Sequence, residues 1–283
     1  MKFEVISDAL GFCEGPVQCR NGSIVITSLS DGCLYKVVDG RVSVFAAMGG
    51  GPNGAVEAAN GDLYVAQSGG VFLTKPDVPP AAPGVLRVGP DGSFHPLSQG
   101  PHSPNDLAFG PDGLLYVTDP TRGPAREDGR LWRFDIASGQ CEQLTTMKWY
   151  CNGIAFSTET DCFYVADTRS GRILRFRLDD PRTEKAEVVI QMTRNVPDGF
   201  AFDAAGNVVV ATVGHGEADK ACLQVFSPQG KLLEIVETGS TQYCTNVAID
   251  AQRNIVVTDS SNGRLLKGIW PTPGLALYPF RGA

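Results

Sequence analysis

The chain has 283 residues, 42% of them hydrophobic and 19% charged, with 33 Gly and 19 Pro. That length allows two ordinary domains or one large all-β or α/β domain, and the apolar share suffices for a sizeable core. A formal net charge of −7, without Lys/Arg blocks, argues against a nucleic acid or an anionic membrane as partner.

The opening residues, MKFEVISDAL, carry one lysine, acidic side chains and no apolar core, so they do not read as a secretory signal. No apolar run is long enough to span a bilayer. A cytoplasmic protein is expected. Its cysteines, Cys13, Cys19, Cys33, Cys141, Cys151, Cys162, Cys222 and Cys244, lack paired C-x-x-C spacing and read as small buried hydrophobes.

Phe3 to Ile6 predicts a short strand that cannot pack alone. From Glu14 onward one unit recurs six times. The copies are EGPVQCRNGSIVITS at Glu14, NGAVEAANGDLYVAQ at Asn53, NDLAFGPDGLLYVTD at Asn105, NGIAFSTETDCFYVAD at Asn152, DGFAFDAAGNVVVAT at Asp198 and NVAIDAQRNIVVTD at Asn246. Their starts lie 39, 52, 47, 46 and 48 positions apart. Each copy reads as a short strand, a Gly-containing turn such as Asn60-Gly61 or Asp112-Gly113, and a strand rich in β-branched residues and Tyr. A third strand opens with a glycine in most copies, as in Gly129-Arg130-Leu131-Trp132, Gly171-Arg172-Ile173-Leu174 and Gly263-Arg264-Leu265-Leu266, and a fourth follows, such as Glu187 to Gln191.

Six units of four antiparallel strands predict an all-β fold: a six-bladed β-propeller over residues 1–283 as one domain, with the N-terminal strand joining the last blade and closing the ring. The insertions 68–84 and 121–129 fall between the second and third strands of blades two and three, and are expected to cover one mouth. Asp119, Asp167 and Asp259, each ending a second strand, read as hydrogen-bonding anchors between strands.

The first positions of the copies are Glu14, Asn53, Asn105, Asn152, Asp198 and Asn246. Asn-Gly and Asp-Gly are dipeptides that turns prefer. However, each copy has its hairpin turn seven or eight residues later, and Asn105-Asp106 and Asn246-Val247 keep the amide without the glycine. In a propeller, equivalent positions converge on the central channel. Amide and carboxylate oxygens without His or Cys suit a hard cation, Ca²⁺ ahead of Mg²⁺ or Mn²⁺.

Other signatures fail their context. GGGPNG, residues 49–54, formally fits a dinucleotide-binding glycine motif, but Pro52 and a β-type segment follow where a helix is required. There is no G-x-S-x-G elbow and no H-E-x-x-H.

Glu-Gly-Pro at Glu14, Pro-Asn-Asp around Asn105, Asn-Gly-Ile-Ala-Phe-Ser from Asn152 and Pro-Asp-Gly-Phe-Ala-Phe-Asp around Asp198 together resemble the SMP-30/gluconolactonase/luciferin-regenerating-enzyme family, over nearly the whole chain. The resemblance implies one divalent metal in the channel, held by Glu14, Asn152 and Asp198, with Asn105 as a further ligand or substrate contact. Ca²⁺ is the first choice, with Zn²⁺, Mn²⁺, Mg²⁺ or Fe²⁺ as alternatives. It also implies lactone hydrolysis, with phosphotriester hydrolases among the relatives. Sugar-lactone members often carry an arginine two residues before the blade-three asparagine. Here that position is Ser103, which opens the substrate to less polar lactones or other esters.

A divalent cation polarises an ester carbonyl and lowers the pKa of a bound water. Asp198 is the candidate base, with Asp106 in reserve. Besides Asn105 and Ser103, candidates to line the substrate pocket are Gln67, His102, Arg122, Tyr150 and His215. The expected function is a metal-dependent hydrolase of a lactone. A non-catalytic propeller binding a small molecule, and a lyase or synthase on the same scaffold, stand as alternatives.

Overall fold

The computed structural model describes residues 1–70, 73–98, 100–122, 128–215 and 219–281. It is all-β, with a single short 3₁₀ turn among the described residues. Strands follow one another as antiparallel neighbours in six four-stranded sheets. Blade one comprises β2 (Cys13–Gln18), β3 (Ile24–Ser28), β4 (Cys33–Val38) and β5 (Arg41–Ala47). Blade two has β6 (Pro52–Glu57), β7 (Leu63–Gln67), β8 (Gly84–Val88) and β9 (Phe94–Ser98); blade three has β10 (Leu107–Phe109), β11 (Leu115–Pro120), β12 (Gly129–Phe134) and β13 (Cys141–Met147). Blade four has β14 (Cys151–Ala155), β15 (Cys162–Asp167), β16 (Arg172–Arg177) and β17 (Glu187–Gln191); blade five has β18 (Val196–Phe202), β19 (Val208–Val213), β20 (Cys222–Phe226) and β21 (Leu232–Glu237). Blade six has β22 (Cys244–Ile249), β23 (Asn254–Asp259) and β24 (Arg264–Ile269), and β1 (Glu4–Ser7) adds to β24 as its outermost strand. The expected closure of the ring by the N-terminal strand is therefore present.

The burial of the strands explains their composition. The second strands β7, β11 and β15 are buried along their whole length, because blades pack against both of their faces, so LYVAQ, LYVTDP and CFYVAD are continuous rather than alternating apolar runs. The fourth strands lie on the rim and are mostly exposed, as in β5 and β21. Six apolar clusters result, one at each junction between neighbouring blades; Tyr164, Ile173 and Ile190 of blade four, for example, pack on Phe200, Phe202 and Val208 of blade five. All eight cysteines are free thiols, and six of them are buried.

The acids that end second strands are anchors, as expected. Asp119, Asp167 and Asp259 are fully buried, and each lies opposite an arginine in the first two residues of the third strand: Arg130, Arg172 and Arg264, with Nε to carboxylate distances of 2.7, 2.9 and 2.7 Å.

Insertion 68–84 is tied to blade one through Lys75 N to Ser30 O (2.9 Å) and Lys75 Nζ to Asp31 Oδ1 (2.6 Å), with Pro79 O accepting from Gly50 N (2.8 Å). Residues 71–72 of that insertion and 123–127 of the other lie outside the described residues.

Candidate active site

Each innermost strand runs from the same mouth of the channel, and a residue near its start sets one layer. Cross-strand register identifies the equivalents: Ala55, Leu107, Ile154, Phe200 and Val247 of β6, β10, β14, β18 and β22 lie opposite Val65, Val117, Val165, Val210 and Val257, and in β2 the position belongs to Pro16, one residue before Val17, which pairs with Val25. Glu14, Asn53, Asn105, Asn152 and Asp198 share one level. In blade six that level is occupied by Thr245, not by Asn246 as the sequence repeat suggested. Asn246 pairs with Thr258, and its backbone N–H donates to Thr258 Oγ1, just as Asp106 N–H donates to Thr118 Oγ1. Asn246 is thus the counterpart of Asp106, one residue deeper. The Thr245 hydroxyl is buried and donates to Cys13 O at 2.9 Å, which binds blade six to blade one.

That deeper layer consists of Gly15, Gly54, Asp106, Gly153, Gly199 and Asn246. The glycines are there for space. A Cβ on Gly54 would collide with the Asp106 carboxylate, one on Gly199 with the Asn246 side chain, and one on Gly15 would lie 2.5 Å from Asn53 O. Four glycines therefore leave the channel to two polar side chains from opposite blades. Asp106 accepts from Leu107 N (2.9 Å), Ile154 N (3.3 Å) and the Asn246 side chain. Below this layer lies a cavity of about 420 Å³, lined by Asp106, Asn246, Phe200, Leu275 and Tyr278 among others and by none of Glu14, Asn105, Asn152 or Asp198. It belongs to the opposite mouth, which residues 274–281 overlie.

At the upper level Glu14, Asn105, Asn152 and Asp198 are all buried. Burial, then the nearby Asp198 and Asp106 charges, hold the Glu14 carboxyl well above the usual range. Burial pushes Asp198 up to about 8, with Asp106 adding to it, although a hydrogen bond from Asn152 and the Arg122 charge favour the ionised form. Asp106 is raised to about 6 by burial, in spite of its three donors. Three carboxylates in one desolvated channel thus lack sufficient positive charge among the described residues.

The amides complete the ring. Asn152 Nδ2 donates to Thr168 Oγ1 at 3.0 Å, and its backbone carbonyl accepts from Thr118 Oγ1 at 2.7 Å. Asn53 Oδ1 is buried without a hydrogen-bond partner among the described residues. Among the described residues no three His, Cys, Asp or Glu side chains form a metal-type cluster, so any cation here needs the amides. Two carboxylates and neutral amide oxygens are the donor chemistry of a hard divalent ion.

The pocket candidates divide. Ser103, Arg122, Tyr150 and Asn105 form one chain: Arg122 Nε donates to Ser103 Oγ (2.9 Å), its Nη1 to the Tyr150 hydroxyl (3.0 Å), and Tyr150 is hydrogen-bonded to Asn105. Burial raises the Tyr150 phenol, against the Arg122 charge. Gln67 is fully buried and uses its amide on backbone, accepting from Gly51 N (2.7 Å) and Gly69 N (3.0 Å) and donating to Gly49 O (3.1 Å). It shapes the loop and does not join that chain. His102 and His215 are exposed. His102 contributes its backbone N–H to Asp119 Oδ2, and His215 donates its own to Asp219 O, with residues 216–218 outside the described residues. Sequence reasoning missed Thr168, the acceptor for Asn152, and Arg169, whose guanidinium lies 5.7 Å from the Tyr150 ring centroid. No spacing marked either residue.

Fold and site together define a six-bladed propeller with a buried acidic-amide ring at one mouth. A family profile described as SMP-30/Gluconolactonase/LRE-like region matches residues 12–261, and the chain belongs to that family. It is 25% identical to a gluconolactonase of Zymomonas mobilis, over 86% of this chain and 74% of that protein. Other curated relatives are longer, and the chain spans about half of their length. Among solved structures, a gluconolactonase from Xanthomonas campestris superposes with a TM-score of 0.77 at 22% identity, covering 96% of this chain and 89% of that one. A calcium-binding regucalcin from Agrobacterium tumefaciens gives 0.76 at 18% identity, covering 95% and 93%. At these identities the structural likeness establishes the fold. No helix among the described residues is long and apolar enough to cross a membrane.

Proposed function

We propose that the protein is a divalent-metal-dependent hydrolase that opens a lactone. The observation that carries this reading is the convergence of Glu14 and Asp198 with Asn152 and Asn105 in one buried level, where both carboxyls are held above their ordinary range for want of a counter-charge. Glu14, Asn152 and Asp198 would hold the ion, and Asn105 adds a fourth oxygen or a substrate contact. Ca²⁺ fits this oxygen-only set best, and the gluconolactonase relative supports the reaction class.

The bound cation supplies positive charge that polarises the carbonyl and acidifies water. The protein's own residues do the rest. Asp198, hydrogen-bonded to Asn152, accepts the proton of the attacking water as its oxygen bonds to the carbonyl carbon. The ring C–O bond then breaks, and the proton passes to the departing alkoxide. Burial of the ring excludes bulk water and strengthens each of these electrostatic contacts. Asp106 is assigned to the layer beneath, where two backbone N–H groups and Asn246 engage it.

The test is metal analysis of the purified protein with a panel of γ- and δ-lactones, before and after chelation. Activity should vanish on chelation and return with Ca²⁺, and Asp198→Ala should lose both metal and turnover. Full turnover in chelated protein would overturn the proposal.

A further inference from the structure

Arg122 stands two residues past the end of β11, on the mouth where the ring opens, and its guanidinium is steered from two sides by Ser103 Oγ and the Tyr150 hydroxyl. Its Nη2 is buried and, among the described residues, has no hydrogen-bond partner. Among the described residues no carboxylate is ion-paired with it, although its charge acts on Glu14, Asp198 and Tyr150. A desolvated guanidinium with one edge unpaired carries the full penalty of its lost water. The edge formed by Nη1 and Nη2 still has free N–H groups, and that planar fork matches a carboxylate. The second guanidinium, Arg169, lies over the ring of the same Tyr150 and adds positive potential to this wall.

We infer that Arg122 is a specificity residue that binds a carboxylate on the substrate, so that the lactones turned over best carry an acidic group beside the ring. This rests on the hydrolytic reading above. The Ser103 hydroxyl takes part by accepting from Nε, which leaves Nη2 for the substrate. A neutral lactone of the same size leaves Nη2 unpaired and forfeits this contact.

The experiment pairs γ-butyrolactone with its carboxylate-bearing analogue, 5-oxotetrahydrofuran-2-carboxylate, on the metal-loaded protein and on Arg122→Gln and Arg122→Lys. Wild type should favour the carboxylate by about 50-fold or more in kcat/KM, and Arg122→Gln should bring that ratio down to about 1. Arg122→Lys, which keeps charge but not the fork, should fall between. Calorimetric binding of the ring-opened product, 2-hydroxypentanedioate, should weaken in the same order. A selectivity ratio unchanged in the variants, or product binding unchanged in Arg122→Gln, overturns the inference. Should Arg122→Gln fail to fold, Arg122→Lys decides by the same ratio. If neither lactone is hydrolysed but the diacid binds wild type and not the variants, the carboxylate site stands and the hydrolytic reading falls.

Discussion

Gly153 packs against the carbonyl of Asp198 so closely that a Cβ on it would lie 2.6 Å from that oxygen. The contact is between backbones of neighbouring innermost strands, so it cannot be relieved by a rotamer change. Gly153→Ala is expected to cost about 1–3 kcal/mol by overpacking. It should also displace the Asp198 strand and weaken metal binding. Urea unfolding and metal titration of the variant measure the two effects.

This contact explains why the motif was only half readable. The recurrence of Gly after Asn or Asp was visible in the sequence, and the first reading available for it was a turn. The space it leaves is a property of six strands meeting around an axis, which no single repeat encodes. Blade count, strand order and ring closure were legible because second strands such as CFYVAD are buried on both faces and therefore recur as unbroken apolar runs. The slip at Asn246 has a local cause: blade six has Asn246 where four others have glycine, which drew the alignment one residue too far. The hairpin turns carried the correction. Asp203 accepts from Asn207, and Asp250 from Asn254, through the same pair of bonds, so DAAGN and DAQRN mark one register. Counting back five from each Asp gives Asp198 and Thr245. Ser103, Arg122 and Tyr150 were each legible as pocket candidates, but their bonding into one chain was not, since they meet only because loops of two blades share a mouth.

The metal-free protein should become less stable as pH rises. Asp198 in the folded chain takes up its proton near 8, against 3.8 for an ordinary Asp, and Glu14 is displaced in the same direction. Between about pH 4 and pH 8 the folded state therefore binds more protons than the unfolded one, and stability falls through that window. Thermal melts of chelated protein at pH 5, 6.5 and 8 should show a decreasing Tm. Asp198→Asn should flatten the trend and raise the Tm at pH 8, by about 1–3 kcal/mol of stability, while abolishing metal binding. A rising Tm would contradict the buried-carboxylate account.

Thr168→Val tests the support of the ring. Thr168 Oγ1 is the acceptor that orients Asn152 Nδ2, and the substitution preserves shape while removing that acceptor. Loss of an outer-shell partner typically weakens a metal site about 10–100-fold. Competition titration with a fluorescent Ca²⁺ chelator gives the affinity directly, and a wild-type value in Thr168→Val would mean that Asn152 needs no such orientation.

Asp119 joins the architecture to the site. Its Oδ2 accepts from Arg130 Nε (2.7 Å) and Trp132 Nε1 (2.9 Å), which fixes β11 to β12, and its Oδ1 accepts from Ser103 N (2.7 Å), which fixes the loop that holds Arg122. Asp167 and Asp259 have the arginine but, among the described residues, no bond to a pocket residue comparable to Ser103. Removing one partner of such a buried pair costs about 3–5 kcal/mol, so Asp119→Ala and Asp259→Ala should destabilise comparably. Only Asp119→Ala should also lower the preference for a carboxylate-bearing lactone, because Ser103 then loses its anchor and Arg122 its steering contact. Measuring that ratio in both variants, at a temperature where both remain folded, separates positioning from stability. Equal ratios in the two would show that the Ser103 loop holds its place without Asp119.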